Sequence, residues 1–157
     1  MSATSTHVPP TAHQADPSIR QVSEFSLLIF WRGSDPSLKP AALLSHMDVV
    51  PADKDPDTSK WTHPPFGGII DKGYIYGRGA LDLKNNVVAI LHAVEQLLQE
   101  GFRPKRSLYV ALGHDEEVGG SHGAAKIVER LHSEGVQVSC LLFLAPRRLS
   151  CRLNPRT

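Results

Sequence analysis

Apolar positions along this chain change period several times, and those changes mark out its elements. Phe25 to Trp31 (FSLLIFW) is a short continuous apolar run that suits a buried strand. Gly33, Ser34, Asp35 and Pro36 follow with turn chemistry. Ala41 to Val50 (AALLSHMDVV) reads as a second strand holding a polar pair in apolar company, closed by Pro51. Residues 52–68 form a loop, charged early and rich in Pro, Gly and aromatics later. Ile69 to Tyr76 suits a hairpin turning on Asp71, Lys72 and Gly73. Lys84 to Glu100 then switches to helical spacing, with Val87, Ile90, Leu91, Val94, Leu97 and Leu98 on one face and Gly101 as the stop. Ser107 to Leu112 predicts a strand, and residues 113–123 a Gly-rich acidic connection. Ala124 to Ser133 predicts a helix stopped by Gly135, and Val136 to Leu144 a last strand. Strands alternating with helices define an α/β layer architecture.

Both ends lack this patterning. Residues 1 to about 22 read as a disordered lead-in, rich in Ser, Thr, His and Pro over Met1 to Asp16. Without a basic start and an apolar stretch, it is not a signal peptide as it stands. Residues 145–157 hold Arg147, Arg148, Arg152 and Arg156 and show no periodicity. They are expected to be poorly ordered, or foreign to the domain at 23–144.

Composition narrows the class further. The 157 residues suffice for one domain with a real core. A formal net charge of +1 gives no bulk electrostatic reason for a nucleic-acid or membrane-surface partner. No apolar run approaches the roughly 18 residues of a membrane span. Cys140 and Cys151 have neither metal-type nor redox-type spacing.

Three short motifs carry candidate chemistry. In Ser45-His46-Met47-Asp48, positions 46 and 48 share one face of a strand. An imidazole there is a good zinc ligand, and the neighbouring carboxylate can orient it; a polar pair ending a strand has the same signature. In Tyr76-Gly77-Arg78-Gly79-Ala80-Leu81-Asp82, the last residue sits just before a helix. It could bridge two metal ions, or simply cap the helix N-terminus. In His114-Asp115-Glu116-Glu117-Val118-Gly119-Gly120, two carboxylates follow an apolar strand, at the edge where α/β folds place sites. One could ligate a metal while the other takes a proton from water; a solvated acidic pair is the alternative.

Taken together, in order and spacing, HMDVVP, WTHPPFGG, YGRGALDLKN and GHDEEVGG resemble the zinc-dependent aminoacylase and carboxypeptidase family of metallopeptidases, and within it the N-fatty-acyl-amino-acid synthase/hydrolase branch. The likeness runs from about Phe25 to about Gln137. It implies a site with two zinc ions. His46 would ligate one zinc, Asp82 would bridge both, and Glu117 would ligate a zinc. Glu116 would be the general base and Asp48 the catalytic carboxylate beside His46. The substrate would be a small molecule, an N-acyl amino acid or a peptide, and the reaction amide hydrolysis or its reversal. His63, His92, His114, His122 and His132 read as surface or structural. Trp61 and Phe66 are expected to brace a loop, and Lys84 to be a first-turn helix residue.

The resemblance also implies ligands that are missing here. It expects an acidic residue near Phe143, yet residues 136–157 contain no Asp, Glu or His. A distant histidine and an inserted lid that carries dimer contacts are expected beyond residue 157. The fold expectation is therefore a partial three-layer catalytic domain. Its mixed sheet is flanked by helices, without the lid or dimerisation domain and the C-terminal part. The alternative function is a truncated, non-catalytic metal-binding fragment.

Overall fold

The computed structural model describes residues 17–53, 55, 60–145 and 148–153. Its frame is a six-stranded mixed sheet in the order β1-β2-β6-β3-β7-β8. The strands are β1 (Ser18–Val22), β2 (Ser26–Trp31), β3 (Ala41–His46), β6 (Leu108–Gly113), β7 (Cys140–Ala145) and β8 (Arg148–Leu153). The separate hairpin is β4 (Ile69–Asp71) with β5 (Tyr74–Tyr76). Helices α1 (Asn85–Gln99) and α2 (Ala124–Ser133) complete the fold.

The three central strands β6, β3 and β7 are parallel, and β2 and β8 flank them antiparallel. Parallel central strands need cover on both faces, which is why their sequences are almost continuously apolar. On one face Ile90 and Val87 of α1 pack on Ile29, Val110, Leu112 and Leu43. On the other, Ile127 and Leu131 of α2 pack on Leu28, Ala42, Tyr109 and Ala111. The alternation within each strand sorts its side chains between these two cores.

The connections create the site. From β3 the chain crosses through α1 to β6 on one side of it, and from β6 through α2 to β7 on the other. Adjacent strands whose connections leave toward opposite faces open a crevice at their carboxyl ends. His46 and Gly113 are register partners at those ends.

Several expectations change. Ser18–Val22 is not part of a disordered lead-in: it forms β1, paired antiparallel with β2 from Ser18↔Phe30 to Val22↔Ser26. Its side chains are largely exposed, so backbone pairing holds it and hydrophobic patterning does not reveal it. In the Arg-rich tail, Arg148–Leu153 is a strand paired with β7. The lead-in up to residue 16 and the last four residues lie outside the described residues. The strand at Ala41 stops at His46, because Met47 donates to the carbonyl of Gly113 and the chain then leaves the ladder. The last strand begins only at Cys140, while Val136 and Val138 pack against the core from the connection before it. The hairpin turn is as expected, with Lys72 and Gly73 both at positive φ (49° and 81°), as a two-residue I′ turn requires.

Candidate metal centre

Three connections meet at the crevice, each bringing one piece of the motif set. His46 ends β3 and is buried, with 3% of its surface exposed. Its Nδ1 lies 3.2 Å from the Asp48 carbonyl and 3.3 Å from Asp48 Oδ1. Its Nε2 lies 3.2 Å from Asp82 Oδ1 and 3.8 Å from Glu116 Oε2.

Asp82 sits in a single π-type turn, Ala80–Lys84, that precedes α1, and the Asp82–Leu83 peptide is cis. The first turn of α1 carries no side-chain cap, so Asp82 is free of the cap role and faces His46 instead. Gly79 makes this turn possible. Its φ is +82°, and a Cβ there would overlap Val49 Cγ1 and stand 3.2 Å from Lys84 Cε. The Lys84 ammonium donates to the Met47 carbonyl, tying the turn to the end of β3.

Glu116 and Glu117 lie in a short 3₁₀ turn after β6. The Asp48 carboxylate receives both their backbone amides, Glu116 N–H on Oδ1 at 3.1 Å and Glu117 N–H on Oδ2 at 3.0 Å. Ligand atoms of His46, Asp82 and Glu117 all come within 4.8 Å of one another. All five residues singled out by sequence thus converge. Asp48 is off the strand, in the irregular segment just past β3, and reaches back to His46 from there.

The donor set suits a cation. Both ring nitrogens of His46 face only oxygen acceptors. With its proton on Nδ1, the Nε2 lone pair is aimed at carboxylate oxygens. A positive ion among Nε2, Asp82 and Glu117 relieves that repulsion. One imidazole with carboxylates is a set that zinc accepts.

Supporting residues outside the set singled out by sequence lie behind the site. Asp115 is buried; its Oδ2 accepts the His122 amide at 2.7 Å and its carbonyl the Gly120 amide at 2.7 Å, closing the acidic loop on itself. Gly123 is needed there, since a Cβ would overlap Asp115 Oδ1. His114 Nδ1 lies 2.7 Å from Ser26 Oγ and its ring stands edge-on to Phe25. Asn86 donates to Ser45 Oγ at 3.4 Å, joining α1 to β3. The burial of Ser26 at 0% and Asn86 at 8% has no sequence signature, because polar residues take their partners from distant segments. Among the remaining histidines, His63 pairs with Asp71 at 3.4 Å and stands edge-on to Tyr76, and His92 is exposed. The Arg78 guanidinium lies over Trp61 at 5.0 Å.

Comparison with known proteins agrees with the motifs. The pattern that defines Peptidase family M20/M25/M40 matches residues 42–152, and the chain belongs to that family. It is 53% identical over 121 residues to the N-fatty-acyl-amino acid synthase/hydrolase of Mus musculus, a match covering 77% of this chain and 23% of that protein. It is 45% identical over 116 residues to carboxypeptidase S of Saccharomyces cerevisiae, covering 73% and 20%. Among solved structures, human carnosine dipeptidase 1 superposes with a TM-score of 0.67 at 23% identity, covering 83% of this chain and 29% of that one. The di-peptidase Dug1p of Saccharomyces cerevisiae gives 0.59 at 26% identity, covering 76% and 25%. The chain thus has the fold of M20 catalytic domains. It spans under a quarter of the length of these two curated relatives. No helix among the described residues is long and apolar enough to cross a membrane.

Proposed function

We propose that the chain carries the metal-holding part of an amide hydrolase for N-acyl amino acids or small peptides, with zinc held by His46, Asp82 and Glu117. The observation that carries this reading is the approach of those three ligand groups to within 4.8 Å, with Glu116 beside them. Names of relatives that are hydrolases and peptidases support the bond class. When bound, the metal supplies Lewis acidity that polarises a carbonyl and lowers the pKa of water.

The residues supply the rest. Glu116 is half exposed, so its carboxylate is open to water and substrate. It takes a proton from the attacking water as the new C–O bond forms. It delivers that proton to the amine as the C–N bond breaks, leaving a carboxylic acid and a free amine. Asp48 fixes the ring of His46 and, through two amides, the aim of both glutamates.

A second reading, a metal-binding piece without turnover, is favoured by one observation. Phe143 of β7 stands where the resemblance expects an acidic ligand, and residues 136–157 offer no Asp, Glu or His.

Zinc titration and hydrolysis of an N-acyl amino acid test both readings. Glu116→Gln should cut turnover about 10²–10⁴-fold and leave zinc affinity intact. Glu117→Gln should weaken zinc by more than about 100-fold. Loss of zinc from the Glu116 variant would reverse the two roles. Tight zinc without any turnover would establish the second reading.

A further inference from the structure

Asp115 turns its side chain away from the two residues that follow it. Glu116 and Glu117 face the crevice, while Asp115 is buried, with 7% of its surface exposed. Its acceptor bonds go to later residues of the same connection. The carbonyl takes the amides of Val118 at 3.3 Å and Gly120 at 2.7 Å, and Oδ2 takes that of His122 at 2.7 Å. Oδ1 is buried without a hydrogen-bond partner among the described residues, and it rests against Gly123, the residue just before α2. A buried oxygen without a donor costs free energy. Its place at the amino end of α2 offsets that cost, because a helix presents its positive pole there. Helix α2 is itself fixed in the core by Ile127, which is 3% exposed.

We propose that Asp115 is a positioning residue for Glu116 and Glu117. Its carboxylate ties the acidic loop to the start of α2 and so sets where both glutamates stand relative to His46. The expected effect on turnover rests on the amide-hydrolase reading above. Asp48 already holds the loop, but only through two neighbouring amides, those of Glu116 and Glu117. A loop held at one place can pivot about it, and a second tie removes that freedom. Asp115 supplies the second tie from the helix side, through the His122 amide and the packing of Oδ1 on Gly123.

Three variants of the full chain test this: Asp115→Ala, Asp115→Asn, and Ile127→Val as a control that loosens α2 in the core without touching the loop. The His46 ring signals of the metal-free chain by NMR, zinc affinity by chelator competition and the visible bands of bound cobalt(II) are read beside melting. The His46 signals report the glutamates because Glu116 Oε2 lies 3.8 Å from Nε2. In Asp115→Ala these signals should move, zinc affinity should fall about 10–100-fold, and the cobalt bands should change shape. There kcat should fall about 100-fold with KM unchanged, as for a reacting group displaced by about 1 Å. Asp115→Asn keeps an acceptor for His122 and loses the charge facing α2, so it should recover part of each loss. Ile127→Val should lower melting alone. If the alanine variant does not fold, the asparagine variant decides: it should weaken zinc and move the His46 signals where Ile127→Val of similar melting does not. If the unmodified chain binds no metal, the His46 signals decide. Unchanged His46 signals, zinc affinity and cobalt bands in the folded Asp115 variants, whatever their melting, overturn the proposal. The expected metal and His46 effects, with no turnover even in the unmodified chain, would sustain the positioning role and sink the hydrolase reading. Turnover that survives Asp115→Ala at full kcat would do the reverse.

Discussion

Asp48 joins two segments through one carboxylate: His46 on β3 and the amides of Glu116 and Glu117 after β6. The pairing is charge-assisted, and each oxygen has its own amide donor. Asparagine at this position keeps the shape but turns one acceptor into a donor facing an amide N–H. Asp48→Asn should therefore lower zinc affinity about 10–100-fold, read by chelator competition, with the fold retained. Residue type and spacing marked His46, Asp82, Glu116 and Glu117 only as candidates, each with a plain structural alternative, and it was the resemblance of the motifs in order that implied their roles. What Asp48 does was only half legible. Its partner donors are backbone amides some 68 and 69 positions away, and every residue has an amide. Asp82 shows the converse case. Its place before a helix suggested a cap, and only the turn geometry after Gly79 turns it toward His46.

Among the elements, α1 and α2 were the most legible, since a helical apolar stripe must face a core. Residues Ala124–Ser133 form a helix over the full expected span. The edge strands were the least legible: β1 has five residues that bury little, and pairing alone defines it. A side-chain tie reinforces that edge. Glu134, just past α2, accepts from Arg130 at 2.6 Å and from Arg20 of β1 at 3.0 Å. Its carboxyl lies below the usual range, first through the Arg130 hydrogen bond and further through the charge of Arg20. A depressed carboxyl stabilises the fold above its unfolded pKa, and this contribution is lost as pH falls through the folded value. The stability difference between the native chain and Glu134→Gln should thus be constant near neutrality and vanish in acid. Urea midpoints measured across that range check it. Because the group is exposed, the difference should also shrink with added salt.

The molecule as a whole holds its candidate centre at the meeting of segments distant in sequence: the end of β3, the turn before α1 and the connection before α2. A metal there crosslinks parts of the chain that separate on unfolding. Zinc at 100 times its Kd should add about 2.7 kcal/mol, raising Tm by roughly 5–10 °C for a domain of this size. A chelator should reverse the rise, and His46→Ala should abolish it; unchanged melting in saturating zinc would argue against the centre. The sheet order that builds this meeting point was not legible in the sequence, because β6 inserts between β2 and β3 only through long-range pairing. The double amide contact at Asp48 also governs how the acidic loop exchanges its protons. Glu116 is half open to solvent in its side chain, yet its own N–H and that of Glu117 are held on a carboxylate. Hydrogen exchange at these two positions then follows the opening of the acidic loop rather than solvent exposure. The loop thus carries a pair of slow protons that record how firmly the two glutamates are held in place.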